Sequence, residues 1–494
     1  MLLLGIDVGT SSIKVSVVDG ETQQTLASAQ YPETEAQIIS LQTGWAEQSP
    51  DQWWADVQKA IRLVVDRSEF RASDIGAIGI SYQMHGLVLV DREGVVLRNS
   101  IIWCDSRAVP YGEKAFQQIG QDKCLCSLLN SPGNFTAAKL AWVKEHEPET
   151  FARIHKVLLP GDFIAFRLTG QVTTTPSALS EGVFWDFQRS AVSEEVLSVF
   201  GYDKNIIPQL QEVFSEHGFL LPEVAANLGL TPGIPVAYKA GDQPNNALSL
   251  NVLEPGEVAA TAGTSGVIYG VSDQLTYDPQ SRVNSFAHVN HTEAQNRVGV
   301  LLCINGTGIM NKWIRSVAGP TLSYTAMNEQ AAGIAPGSEG LCILPFGNGA
   351  ERILNNRILQ AQVRDIDLNK HTPAHLFRAA QEGIAFAFRY GLDIMRENGM
   401  HPKVIRAGRA NMFLSDVFTD AFVEATGTPV ELYACDGSVG AALGAGIGAG
   451  YFSKPAEAFT RQQVLKVVAP TQASLYNDLY ARWKEELERE LQAL

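Results

Sequence analysis

The chain has 494 residues, 45% apolar and 18% charged, the composition of a folded globular protein and, at ~100–200 residues per domain, of more than one domain. Its 38 basic and 53 acidic residues leave a formal net charge of −15, which argues against a general nucleic-acid binder or an anionic-membrane binder. Six cysteines are too few for a disulfide scaffold, no apolar run approaches the ~18 residues of a membrane span, and the opening Met1–Asp7 lacks a signal peptide's basic region, so a cytoplasmic protein is expected.

Residues 2–8 read as a strand, 9–12 as a Gly-hydroxyl turn, 13–18 as a second strand and Asp19-Gly20 as a hairpin turn. Residues 50–65 carry Trp53, Trp54, Val57, Ile61 and Val64 on one helical face. Strands are expected over 77–81 and 87–90, and helices over 138–144 and 148–154. Strand and helix alternate, which makes the fold class α/β. A second strand, Gly-Thr-Ser turn and strand follow at 258–262, 263–266 and 267–271. This repeat predicts two related domains, 1–250 and 251–494, with the boundary near Leu250 after a helix-like segment, 244–250. Residues 475–494 form an amphipathic stripe of Leu475, Leu479, Trp483, Leu487 and Leu491, read as a surface helix.

No P-loop, dinucleotide fingerprint, nucleophile elbow or zinc-protease motif occurs. Five constellations of carboxylates and small or hydroxyl residues remain. Asp7 precedes Gly9-Thr10-Ser11-Ser12 and Lys14. It reads either as a turn cap or as an Mg²⁺ ligand beside a phosphate-binding turn to which Lys14 adds positive charge. Gly263-Thr264-Ser265-Gly266 offers the same turn from the second half, so the pair can grip a polyphosphate. Asp242, after Lys239-Ala240-Gly241, reads either as a helix N-cap or as a general base aimed at a substrate hydroxyl. Gln83-Met84-His85-Gly86, between strand-like runs, reads as structural or as a sugar-binding turn. Residues 436–446 place small side chains at helical spacing, giving a smooth face for a close backbone or a flat ligand.

With these motifs in order, the chain resembles the FGGY carbohydrate kinases over nearly its whole length. Gly44-Trp45-Ala46-Glu47-Gln48-Ser49-Pro50, Trp103-Cys104-Asp105-Ser106-Arg107, 136–143, 156–162 and Leu344-Pro345-Phe346 with Glu351-Arg352 are similar to further blocks of that family. The resemblance implies two actin-like (ribonuclease H-like) domains closing over a central cleft, sugar in the first and nucleotide in the second. It implies ATP and Mg²⁺ as cofactors, with Asp7 and Asp242 at the metal and Asp242 as catalytic base. Phosphate contacts fall on Gly9–Ser12, Lys14 and Gly263–Gly266. Substrate contacts fall on Gln83, Met84, His85, Trp103, Asp242 and Gln243. Met84-His85 match the dipeptide of members acting on D-xylulose, which implies phosphorylation of its terminal hydroxyl. The resemblance also implies a homodimer.

Two departures stand out. Gln243 replaces the usual Asn after the catalytic acid, which leaves ribulose, ribitol or glycerol as alternative substrates. The family's Gly-Gly-Gly-Ala adenosine run is reduced to the single Gly408 in residues 406–415. The adenine pocket is then expected to use Asn411 on a base edge and Met412 or Phe413 as packing, with Gly437 nearby. A non-catalytic actin-like nucleotide-binding protein is the alternative from another class.

Overall fold

The computed structural model describes residues 1–66 and 70–494. Two large sheets carry the fold. The first has five strands in the order Val236–Gly241, Ile75–Tyr82, Leu2–Val8, Ile13–Asp19, Thr25–Tyr31. The first three run parallel, and the last two return as antiparallel hairpins. The second has seven strands. Within it, Val430–Tyr433, Ile405–Gly408, Val258–Ala262, Gly266–Ser272 and Val298–Ile304 repeat the same order and the same parallel and antiparallel relations. Asn284–Ala287 and Val464–Val468 extend its two edges. The repeat legible in two turns is thus a repeat of two sheets.

Leu2, Leu4, Ile6 and Val8 alternate onto one face of the first sheet, as pleating dictates, and join the Pro50–Asp66 helix through Trp53, Val57 and Ile61. On the other face lies the helix Gly437–Gly448, which comes from the second half of the chain. Its approach is backbone on backbone. A Cβ on Gly5 would stand 1.8 Å from the Ser438 carbonyl oxygen, and one on Gly79 1.9 Å from that of Ala441. The smooth small-residue face is therefore a packing surface, and it locks one half against the other.

Several expected elements are longer or shifted. The strand expected at 77–81 spans Ile75–Tyr82, and Thr25–Tyr31 adds a strand beyond the Asp19 turn. Gly266 is a strand residue paired with Ala262, so the second turn is shorter than the first, where Val8 pairs with Ile13. In the terminal helix Ala473–Ala493, Tyr476, Tyr480, Trp483 and Leu487 are buried, while Leu475 is 42% exposed and lies off the stripe. Among the described residues no helix is long and apolar enough to cross a membrane.

Candidate active site

The register of the three parallel strands assembles the first-half motifs. Val8, Tyr82 and Gly241 stand abreast at the strand ends, so Gly9, Gln83 and Asp242 leave the sheet along one edge. Ligands of open α/β sheets bind beyond the carboxyl ends of such strands. Asp7 sits one residue inside that edge, with Lys14 opposite it on one neighbouring strand and Ser81 on the other.

A hydrogen-bonded relay joins the Gly9–Ser12 turn to Gln83. Thr10 Oγ1 donates to Gln83 Oε1 at 3.1 Å, Gln83 Nε2 donates to Gln48 Oε1 at 3.0 Å, and Gln48 Nε2 donates back to the Thr10 carbonyl at 2.8 Å. Trp103 Nε1 donates to Thr10 Oγ1 at 2.9 Å, with the indole 50% exposed. The loop behind Trp103 is fixed by Asp105, which accepts from the Ala46 amide and pairs with buried Arg107. His85 adopts φ 63°, a left-handed conformation that turns the chain after Met84. Its ring packs edge-on to Phe135 and against Phe286 from the second sheet. Its Nδ1 faces the Glu181 carbonyl at 2.9 Å, and its own carbonyl accepts from buried Lys139 at 2.8 Å. Burial, followed by the Lys139 charge, pushes the imidazole down to about 3, so His85 is neutral at pH 7. Burial likewise pushes the Lys139 ammonium down to about 7.

Asp242 opens the helix Asp242–Ser249 as its first residue, with Gly241 at the N-cap, so the capping alternative for Asp242 does not hold. Its carboxylate accepts from Gln243 Nε2 at 3.1 Å. Burial, then the charge of Asp7, push its proton affinity up to about 7. Asp7 is raised too, by burial first and by Asp436 in part. Among the described residues no cluster of three or more metal-ligating side chains occurs. Two carboxylates whose charges oppose burial and each other suit Mg²⁺, which takes few protein ligands and keeps its waters.

Lys14 does not stand free. It pairs with Asp436, the N-cap of the Gly437–Gly448 helix. Gly437 packs on Asp7, where a Cβ would lie 2.5 Å from Oδ2. In the second half, the Gly263 and Thr264 carbonyls accept from the Gly308 and Ile309 amides at 3.0 and 3.1 Å, which fixes the turn. Asn411, at φ 52°, brings its amide nitrogen to 3.6 Å from where a Gly263 Cβ would stand. The expectation for its neighbours is corrected. Phe413 is buried and packs edge-to-face on Phe418 and Phe422, so its ring is not free to cover a base, which leaves Met412 of the two. Sequence reasoning also passed over Gln48, Lys139 and Glu181. Gln48 and Lys139 lie within recognised blocks, 44–50 and 136–143, but Glu181 carries no local signal.

Residues 2–249 match the N-terminal domain of the FGGY family of carbohydrate kinases, and residues 258–451 match its C-terminal domain. The chain belongs to that family and is an ATP-dependent carbohydrate kinase of two-domain α/β fold, which sets aside the non-catalytic alternative. The xylulose kinase of Bacillus subtilis strain 168 is 29% identical over 493 residues, covering 98% of this chain and 96% of that protein. The structure of the xylulose kinase from Rhodospirillum rubrum superposes with a TM-score of 0.88 at 25% identity over 100% of both chains. The Plasmodium falciparum glycerol kinase with ADP shares the fold, with a TM-score of 0.88 at 18% identity, over 99% of this chain and 98% of that one.

Proposed function

We propose that this kinase phosphorylates D-xylulose at its terminal hydroxyl, giving D-xylulose 5-phosphate and ADP. The observation that carries this reading is Asp242. It is a half-buried carboxylate with proton affinity near neutrality, on the strand edge it shares with Gln83, Met84 and His85. Asp242 takes the hydroxyl proton as the O–P bond forms and the bond from the terminal phosphorus to ADP breaks. Gln83, Met84, His85, Trp103 and Gln243 hold the sugar, and neutral His85 serves by position and hydrogen bonding rather than by charge. Gly9–Ser12 and Gly263–Gly266 offer amides and hydroxyls to the phosphates, with Lys14, Asn411 and Gly437 beside them. Asp7 and Asp242 hold Mg²⁺, directly or through water. When bound, the ion neutralises phosphate charge. The first half, 1–250, takes the sugar, and the second, 251–494, the nucleotide. Both named xylulose kinases cover nearly the whole chain, which supports the substrate.

The test is coupled ADP release with Mg²⁺–ATP on D-xylulose, D-ribulose, ribitol, glycerol and no sugar. D-xylulose is expected to give the highest kcat/KM. Gln243 favours a second reading, a kinase for another ketose or polyol, and preference for one of those would establish it.

A further inference from the structure

The start of one helix makes three contacts with His85. The helix Thr136–His146 has Phe135 at its N-cap, and the Phe135 ring stands edge-on to the imidazole with centroids 4.8 Å apart. Thr136 Oγ1 donates to the His85 carbonyl at 3.2 Å, and Lys139 Nζ, one turn on, donates to the same oxygen at 2.8 Å. That carbonyl belongs to a residue at φ 63°, a left-handed conformation uncommon outside glycine, so the two bonds hold a turn that the chain adopts reluctantly. Lys139 is 0% exposed, and among the described residues it makes no ion pair. A buried ammonium without a paired carboxylate opposes folding, so one committed to a single carbonyl calls for a function.

The other end of His85 shows what is being held. A carbonyl only accepts, so the Glu181 carbonyl 2.9 Å from Nδ1 fixes the proton of the neutral ring on Nδ1 and leaves the lone pair on Nε2. Among the described residues Nε2 has no hydrogen-bond partner. The Glu181 segment is itself joined to the same helix, since the Ala137 amide donates to the Gly182 carbonyl at 3.0 Å. We propose that Lys139 is a positioning residue of the sugar site: with Thr136 it clamps the His85 carbonyl, so that Nε2 is held as the acceptor for one sugar hydroxyl. This rests on the reading of Met84-His85 as part of the sugar site. Lys139 acts through His85 and touches no substrate. Its charge also opposes protonation of the ring, which would turn Nε2 into a donor. Burial brings the Lys139 ammonium down to about 7, where Asp105, Cys104 and Glu181 favour the charged form and Arg107 opposes it. The clamp is therefore charge-assisted below that pH and an ordinary amine-to-carbonyl bond above it.

The test is steady-state kinetics on whichever sugar of the panel the wild type turns over best. A wrong sugar assignment then shows in the wild-type arm, and a wrong role for Lys139 shows only in the variants. Lys139→Met keeps the stem and removes the donor. Near pH 6 it is expected to raise the sugar KM ~10-fold, with kcat changed less than ~3-fold and the ATP KM unmoved. The ratio of variant to wild-type sugar KM should shrink to ~3-fold by about pH 8.5, whereas a lysine that only fills space would give a constant ratio. Thr136→Val removes the second donor, and the double variant, which leaves the carbonyl with neither, should lose more than the product of the two single losses. In sugar-free protein with ¹⁵N-labelled histidine, the signals that His85→Gln removes should show the proton on Nδ1 in the wild type and mixed tautomers in Lys139→Met. An unchanged sugar KM in Lys139→Met, equal rises in the sugar and ATP KM, a ratio independent of pH, or a wild-type ring protonated on Nε2 would each overturn the proposal. Should Lys139→Met fail to fold, Thr136→Val carries the test. Its clamp depends on Lys139 alone, so its sugar KM should climb from about pH 6 to about pH 8.5 more steeply than the wild type's, and an equal slope would overturn the proposal.

Discussion

Each half of the molecule ends its last parallel strand on an acid that begins a helix. In the first half it is Asp242, directly after Val236–Gly241. In the second it is Asp436, shortly after Val430–Tyr433. The two acids are treated oppositely. Asp436 caps its helix, accepting from the Ser438 amide at 2.9 Å and the Ser438 hydroxyl at 2.7 Å, and it pairs with Lys14 from the first half. Burial raises its proton affinity, but Lys14 and Ser438 outweigh that and hold it below the usual carboxylate range. Asp242 accepts from the Gln243 side chain and from amides at the start of its own helix, faces the like charge of Asp7, and is left near neutrality. The same junction yields a structural clasp where the acid meets a lysine, and a carboxyl of near-neutral proton affinity where it meets another acid, the property a general base at this position would need.

The largest effect that tests this contrast is Asp242→Asn. Turnover should fall ~10²–10⁴-fold, while the melting temperature rises because a half-buried charge opposed by Asp7 is removed. Next comes the backbone contact joining the halves. Gly79→Ala forces a methyl onto the Ala441 carbonyl and should cost about 3 kcal/mol of stability in a thermal or urea melt. Asp436→Asn should behave as the converse of Asp242→Asn, losing about 1–2 kcal/mol of stability at pH 7. That contribution should shrink as pH drops toward the Asp436 titration, because a depressed carboxylate stabilises only above its unfolded value. Its kcat should stay within ~10-fold of wild type, and a variant as inactive as Asp242→Asn would break the comparison. The pH profile sharpens it further. The base form of Asp242 grows as pH rises through about 7, so kcat/KM should fall about tenfold per unit below that point. The raised value has the opposite sign for stability, since Asp242 opposes folding progressively from its unfolded value up to about 7 and fully above it. Excess Mg²⁺ should move the kinetic midpoint lower by favouring the anion.

What the sequence made legible is what local chemistry encodes. The strands Leu2–Val8 and Val258–Ala262 read to the residue, because their β-rich runs end in Gly-hydroxyl turns. The acids at 7 and 242 stood out because Gly flanks them. The Gly437–Gly448 helix was legible as a smooth face, but no local pattern says that it crosses to the other half's sheet. Only there do Gly5 and Gly79 acquire their reason. The pairing of Lys14 with Asp436 follows from that crossing and was equally hidden. Phe413 was misjudged because an aromatic after a polar residue reads the same whether it faces a ligand or the Phe418 and Phe422 rings. Lys139 and Glu181 look like ordinary polar helix residues until their burial is known.

The smallest effect concerns how the first-half turn is tied to the sugar wall. Thr10 Oγ1 accepts from Trp103 and donates to Gln83, so one hydroxyl links an exposed aromatic, the Gly9–Ser12 turn and the strand end at Gln83. Trp103→Phe removes a single neutral hydrogen bond worth about 1 kcal/mol, while a half-exposed aromatic ring remains. The expected result is a sugar KM raised ~5-fold with the ATP KM unchanged, because Gln83 still holds Thr10. If the ATP KM moves instead, Trp103 acts through the turn and belongs to the phosphate grip. The two turns would then differ in more than length, since the second is held by the Gly308 and Ile309 amides. The first is tied to Trp103 and Gln83 through the Thr10 hydroxyl, so on the proposed assignment a shift of the ATP KM in Trp103→Phe would read coupling between sugar and phosphate through that one side chain.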